Sequence, residues 1–369
     1  MPSADTVRRP DDQSRRTKPT LQTLAQAQHV LTVCNACRYC EAYCPVFPAM
    51  ENRTAFPKGD VSYLANLCHN CGECLYACQY APPHEFGIDV PRTLAMARLE
   101  SYEEYCWPHF MSGLFRRNGV VLSLAIALIS MSVVWLFVRS SAVRDDFYGV
   151  IPHDVMVAIF GASGLFVLLA LVIGCARALE GFRGGTAREM SVTRAIRDAL
   201  TLRHLHASGD DCTRDVEVRT PWRRYFHHCT FYGFALCLAS TTVAAIYHTV
   251  FRWSAPYSYT SAPVLLGTIG GVGLIVGSLG LLEQYHRRDE ALKDPAQRGL
   301  DLSFIVMLLM TSVTGVLLLV LRGSALMPAL LVIHLGFVLG FFVSLPYGKF
   351  VHGLYRSIAL LKFSSEAPR

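Results

Sequence analysis

The sequence predicts an all-helical chain in two parts, a cysteine-rich head followed by six apolar helices. Three observations predict it: a cysteine spacing that occurs twice before residue 80, six apolar stretches beyond residue 117, and a composition 52% hydrophobic but only 17% charged over 369 residues. Ordinary soluble chains carry about 25% charged residues, so a membrane protein is the first expectation. A formal charge of +6 fits nucleic acid as a partner, but it also fits Lys and Arg gathered on one side of a bilayer. The positions of the charges decide between these.

Residues 1–24 read as a disordered tail. The stretch from Met1 to Thr20 is polar and lacks the apolar core of a secretory signal, and Arg8 and Arg9 stand without the hydrophobic segment of an export signal. The 13 cysteines are therefore expected to face a reducing cytoplasm.

Cys34, Cys37, Cys40 and Cys44 form one run, and Cys68, Cys71, Cys74 and Cys78 a second; both read C-x2-C-x2-C-x3-C. Three thiolates on a tight loop hold three corners of an iron–sulfur cubane, while the fourth ligates the other cluster. On that rule Cys34, Cys37, Cys40 and Cys78 hold one [4Fe-4S] cluster, and Cys68, Cys71, Cys74 and Cys44 hold the second. Residues 25–117 are thus expected to be a double-cluster, ferredoxin-type domain. Pro45 follows the first run as that pattern expects, whereas Gln79 follows the second; the departure removes no ligand. Structural zinc also uses C-x2-C pairs, but it draws four ligands per site from separate knuckles, and two runs of this regularity favour clusters. Cys175, Cys229 and Cys237 read as small packing residues in or beside the apolar helices, and Cys106 and Cys212 are unassigned.

The apolar stretches lie near 119–138, 155–175, 229–250, 263–282, 302–321 and 327–346, each close to the ~20 residues that cross hydrocarbon. Two such helices fill 118–176. A link over 177–226 follows, four more helices occupy 227–356, and 357–369 is a tail. Of 34 Lys and Arg, only Arg139, Arg144, Arg252 and Arg322 fall in the links after the first, third and fifth helices. The positive-inside rule puts the head, both termini and the longer links in the cytoplasm, which accounts for the charge without nucleic acid. Apolar residues recur at helical spacing among the arginines of Ser191 to Leu205, predicting an amphipathic helix on the membrane surface, on the head or in solvent.

Histidines mark the third and sixth apolar helices: His227 and His228 begin the third, His248 ends it, His334 lies inside the sixth and His352 just beyond. Histidine in a membrane usually faces the bundle interior. The two helices run antiparallel, which sets His248 level with His334 and His227 or His228 level with His352. Two bis-histidine haem b sites are expected, the alternative being interfacial histidines, since three of the positions lie near a membrane boundary where polar residues are tolerated. On an ideal helix His227 and His248 lie about 60° apart and His228 and His248 about 160° apart, which prefers His227 without excluding His228. His334 and His352 would share a face on a continuous helix, but Pro346 and Gly348 interrupt it. His69 and His153, among the remaining histidines, are given no cofactor role. Glycines at 267, 270, 271, 273, 277 and 280 allow close helix approach or room for a macrocycle.

Taken together, the chain resembles the tricarballylate-utilisation protein B family, also called citrate-utilisation protein B. The resemblance rests on the two cysteine runs, C-Q-Y-A-P-P-H-E-F from Cys78 to Phe86, R-R-Y-F-H-H-C-T-F-Y-G-F from Arg223 to Phe234, and L-P-Y-G-K-F-V-H-G-L-Y-R from Leu345 to Arg356. The last four helices are also similar in layout to the dihaem subunit of respiratory nitrate reductases. The family resemblance implies a protein of the bacterial inner membrane that accepts electrons from a separately encoded flavin dehydrogenase, tricarballylate dehydrogenase being the namesake, and delivers them to quinone. The absence of a G-x-G-x-x-G fingerprint and of any constellation for substrate chemistry agrees with dependence on such a partner. The alternatives are a redox subunit for another flavoprotein, as in cobalamin synthesis or a heterodisulfide-type reductase, and a membrane-anchored redox sensor.

Overall fold

The structure, a computed structural model, describes residues 19–138, 147–182, 191–205 and 222–366. All regular structure among these residues is helical. The head contains α1 (Pro19–Cys37), α2 (Val46–Glu51), α3 (Lys58–Leu67), the one-turn α4 (Glu73–Tyr76) and α5 (Val90–Tyr105). Asp89 starts α5 by accepting a hydrogen bond from the Arg92 backbone N–H at 3.0 Å, with Pro91 in the first turn where no N–H is needed. Leu31, Met50, Tyr63, Leu64, Leu67 and Leu94 are fully buried between these helices.

Six helices have the length and apolarity to cross a membrane: α6 (His109–Trp135), α8 (His153–Gly181), α10 (Trp222–Thr249), α11 (Ala262–Arg287), α12 (Pro295–Val320) and α13 (Met327–Ser344). They are consistent with a multi-pass membrane protein. Leu128, Leu165, Ile269 and Val320 stand exposed on their outer faces, as lipid-facing residues do. Around the bundle α10 packs on α11, α11 on α12, and α12 on α13 and α6. The glycines of α11 let α10 approach closely, since a Cβ at Gly277 would lie 2.7 Å from the Thr230 backbone nitrogen. The short helices α7 (Phe147–Val150) and α9 (Val192–Leu200) lie between spans.

Two sequence expectations change. The segment expected as a tail to residue 24 is helical from Pro19, with Thr23 buried; residues 1–18 lie outside the described residues, as do Arg139, Arg144 and Cys212. The C-terminal tail expected from residue 357 is instead the last turns of α14 (Val351–Glu366). Phe363 is buried in the core of the head, and Glu366 pairs with Arg53 at 2.7 Å. An apolar face alternating with polar residues at helical spacing explains the docking. The amphipathic helix of the long link is α9, which packs against α14. The chain breaks between α13 and α14 at Pro346 and Gly348, so His334 and His352 sit on separate helices.

Candidate functional site

The eight cysteines of the two runs are all free thiols. Their mutual charge interactions fall into two groups. Cys34 feels Cys78, Cys40 and Cys37, while Cys44 feels Cys71 and Cys68, and Cys74 feels Cys71, Cys44 and Cys68 and, least of all, Cys40 of the other group. The fourth cysteine of each run thus lies with the first three of the other. The loops repeat one backbone turn, because the residue after the second cysteine takes a positive φ in both, Arg38 at 55° and Gly72 at 92°. Cys44, Cys68, Cys71 and Cys74 line a common cavity of about 20 Å³, and the Asn70 N–H donates to the Cys68 sulfur at 3.3 Å.

Burial, then mutual repulsion, pushes Cys34 up to about 12 and Cys40 up to about 11, so thiols this close cannot ionise together without cations among them. Iron supplies such charge, and the donor set is one that iron–sulfur clusters use. Among the described residues no three His, Cys, Asp or Glu side chains converge on a single ion; a cubane spreads its thiolates over four irons instead of one.

The second loop is pinned to the bundle. Arg223 at the start of α10 donates to the His69 carbonyl at 3.1 Å, Arg356 of α14 donates to the Cys68 carbonyl at 2.6 Å, and Arg288 donates to the Asn70 carbonyl. Tyr76 donates to Asp289 at 2.9 Å, and Gly72 lies flat against Leu292, which would touch any Cβ there. Behind the loop opens a cavity of about 1560 Å³, bounded by head, α9, α10, α11, α12 and α14. Of the eight cysteines Cys71 is on its wall, and so are His227 and His352.

Hydrogen bonding sets the ring nitrogens of these histidines. His227 Nδ1 lies 3.2 Å from the Arg223 carbonyl and His352 Nδ1 meets the Lys349 carbonyl. A carbonyl only accepts, so in each ring Nδ1 carries the proton and Nε2 keeps its lone pair. Burial, then the cations Arg356 and Lys349, holds His352 well below its ordinary pKa and therefore neutral. His228 is turned the other way, its Nε2 donating to the Thr201 carbonyl at 3.2 Å. At the far end of the bundle His334 Nδ1 meets the Thr314 hydroxyl at 3.2 Å. That hydroxyl donates to the Met310 carbonyl at 2.7 Å, so it accepts from His334 and again leaves Nε2 unprotonated. His248 has a buried Nδ1 with no hydrogen-bond partner, and its ring stacks on His153 at 3.9 Å.

Residues 27–104 match the family model described as Citrate utilization protein B Fer4-like domain, and residues 111–369 match the model described as Citrate utilization protein B. A curated protein of Escherichia coli named "Citrate utilization protein B" is 45% identical over 352 residues, covering 94% of this chain and 93% of its own length. The chain belongs to the citrate utilization protein B family. No solved structure matches it.

Within the family's Fer4-like region lie all eight cysteines, and within its membrane region lie His227, His228, His248, His334 and His352. Two residues of this family member escaped the sequence reading. His69 sits inside the second cysteine run, buried beside Arg98, Arg223 and Arg356; those arginines come from α5, α10 and α14, so spacing along the chain carries no sign of them. His153 begins α8 and meets His248 only because α8 and α10 end on the same face.

Proposed function

We propose that this member of the citrate utilization protein B family is a membrane electron-transfer protein. It takes electrons from the reduced flavin of a partner dehydrogenase, of the tricarballylate dehydrogenase kind, and passes them through two [4Fe-4S] clusters and two b haems to quinone. The observation that carries the reading is the placement of the Cys68–Cys71 loop on the wall of the cavity that also receives His227 and His352.

The clusters and haems supply one-electron oxidation and reduction when bound; the chain supplies holders and order. Cys44, Cys68, Cys71 and Cys74 would hold the cluster next to the bundle, and Cys34, Cys37, Cys40 and Cys78 the outer one. His227 and His352 would hold the inner haem, each through the Nε2 that its Nδ1 hydrogen bond leaves unprotonated. His248 and His334 would hold the outer haem. The donor docks on the outer face of the head, where Cys37, Tyr39 and Phe86 are exposed. Two electrons and two protons leave each reduced flavin, and the same number convert quinone to quinol, so the overall reaction balances. The excess of Lys and Arg on the head side supports a cytoplasmic head in the bacterial inner membrane.

A reduced-minus-oxidised optical spectrum with iron and sulfide analysis tests the cofactors. A b-type α-band and iron matching two cubanes are expected, and a spectrum without the α-band removes the histidine assignments while leaving the cysteines. Reduction of the purified protein by the dehydrogenase with its substrate, then reoxidation by a quinone analogue, tests the route. Failure of reduction by any flavoprotein leaves no electron-transfer role from flavin.

A further inference from the structure

The cavity between head and bundle is lined by both apolar and cationic side chains. Phe231, Phe234, Phe304 and Leu308 are among the apolar ones. On the lining as a whole seven Arg or Lys side chains face three Asp or Glu, so the space suits a negative guest. Arg98 of α5 is 4% exposed, and its Nε and Nη2 have no hydrogen-bond acceptor. His69 is 8% exposed, and neither ring nitrogen has a partner. Of the acids on the lining, Asp301 pairs with Lys349 at 2.7 Å, and Asp198 lies 3.7 Å from Arg203 and 3.6 Å from His204. Burial, then the charge of Arg98, pushes the pKa of Arg356 down, the mark of cations crowded without enough counter-charge. Buried donors without acceptors are costly, and buried charges are ordinarily paired; an anion in the cavity would supply both the missing acceptors and the missing charge.

We propose that Arg98, Arg356 and His69 form a binding site for the carboxylate groups of a ligand seated in this cavity. The guanidinium of Arg98 presents a planar fork of donors, which matches a carboxylate in a bidentate pair. The phenylalanines of the same lining suit an apolar body, so the ligand is amphipathic, with its acids along one edge. The haem placed here under the proposed function has that form, and its identity as the ligand rests on that reading. A free tricarboxylate offers the same acid groups without the apolar body.

Full-length protein carrying its clusters and haem, as parent, Arg98→Gln and Arg98→Lys, tests the site with three readouts: haem b per chain, the midpoint potential of the haems, and the rise in melting temperature on adding citrate. Iron and sulfide per chain report folding independently. With propionates as the acids, Arg98→Gln keeps its iron, loses haem or holds it at a lower potential because a cation beside it is gone, and Arg98→Lys restores part of the effect. With a free tricarboxylate, haem is unchanged and the citrate response weakens at least tenfold in concentration. A citrate response lost in Arg98→Gln while the parent binds no haem keeps the carboxylate site and ends the haem reading. Equal haem content, potential and citrate response in parent and Arg98→Gln, with iron intact, overturns the proposal. So does a parent that neither binds haem nor responds to citrate. Should Arg98→Gln lose its iron, Arg98→Lys is judged by the same readouts, since it keeps the charge and loses the fork.

Discussion

His227 and His228 are adjacent on α10, yet their rings do different work. The first lies on the cavity wall with Nδ1 bonded to its own helix, which leaves Nε2 unprotonated, while the second spends Nε2 on the Thr201 carbonyl. A haem ligand needs the unprotonated nitrogen, so His227→Ala is expected to remove about half the haem b, as removal of an axial ligand does, with His352→Ala matching it. His228→Ala is expected to keep the full haem content, measured as the pyridine haemochrome against protein. Equal losses in the two α10 variants would make the Thr201 bond irrelevant to ligand choice. The cysteines give a second residue-level expectation from the grouping of Cys78 with Cys34. Cys78→Ser should abolish the same electron paramagnetic resonance signal as Cys34→Ser, although it belongs to the other run in sequence. Loss of the signal that Cys68→Ser removes would mean each run keeps its own fourth ligand.

At the scale of elements, α14 ties head to bundle. Arg53, buried between α2 and α3, donates to Glu366 at the end of α14 and to Asp60 at 2.6 Å. Burial alone would lower the pKa of Arg53, but the two carboxylates reverse that and hold it above its ordinary value. Removing one partner from such a buried pair costs about 3–5 kcal/mol. Arg53→Met is therefore expected to lower the melting temperature and expose α14 to proteolysis, and an unchanged digestion pattern would show that α14 docks without this pair. The α10–α11 contact depends on Gly277 in a different way, because any side chain there meets the Thr230 backbone. Gly277→Val should force the helices apart at a cost of about 1–3 kcal/mol, with haem retention falling in the same preparation because His227 lies less than one turn from Thr230. How far these elements were legible depends on the range of the information. The cysteine runs are local, so their spacing carries the proposed ligand set; the six spans are local in the same sense, as runs of apolar residues. The docking of α14 was read as a tail because its partners, Asp60 and Arg53, lie some three hundred positions earlier. The arginines around His69 were invisible for the same reason, and the Nδ1 bonds that separate His227 from His228 arise from helix register and the position of Thr201, neither of which periodicity resolves.

For the whole molecule, head and C-terminal helix occupy one end of the bundle, held there by Arg356 on the Cys68 loop and Glu366 on Arg53. Their sidedness is therefore a single question with a single answer. The link after α10 and the turn after α12 lie at the other end, where Arg322 donates to the Tyr257 carbonyl at 2.6 Å and its guanidinium stacks over the Tyr259 ring at 3.7 Å. That end carries few cations, and the head end carries most of the chain's Lys and Arg, so the orientation proposed from the positive-inside rule has the head toward the cytoplasm. A protease site placed after Arg369 should then be cut in inside-out vesicles and protected in intact spheroplasts, while a site inserted between Ser254 and Ala255 should show the reverse. A soluble flavoprotein in the cytoplasm can reach the clusters only in that orientation. The opposite cleavage pattern would put the head outside and end the proposed donor, whatever cofactors the protein holds.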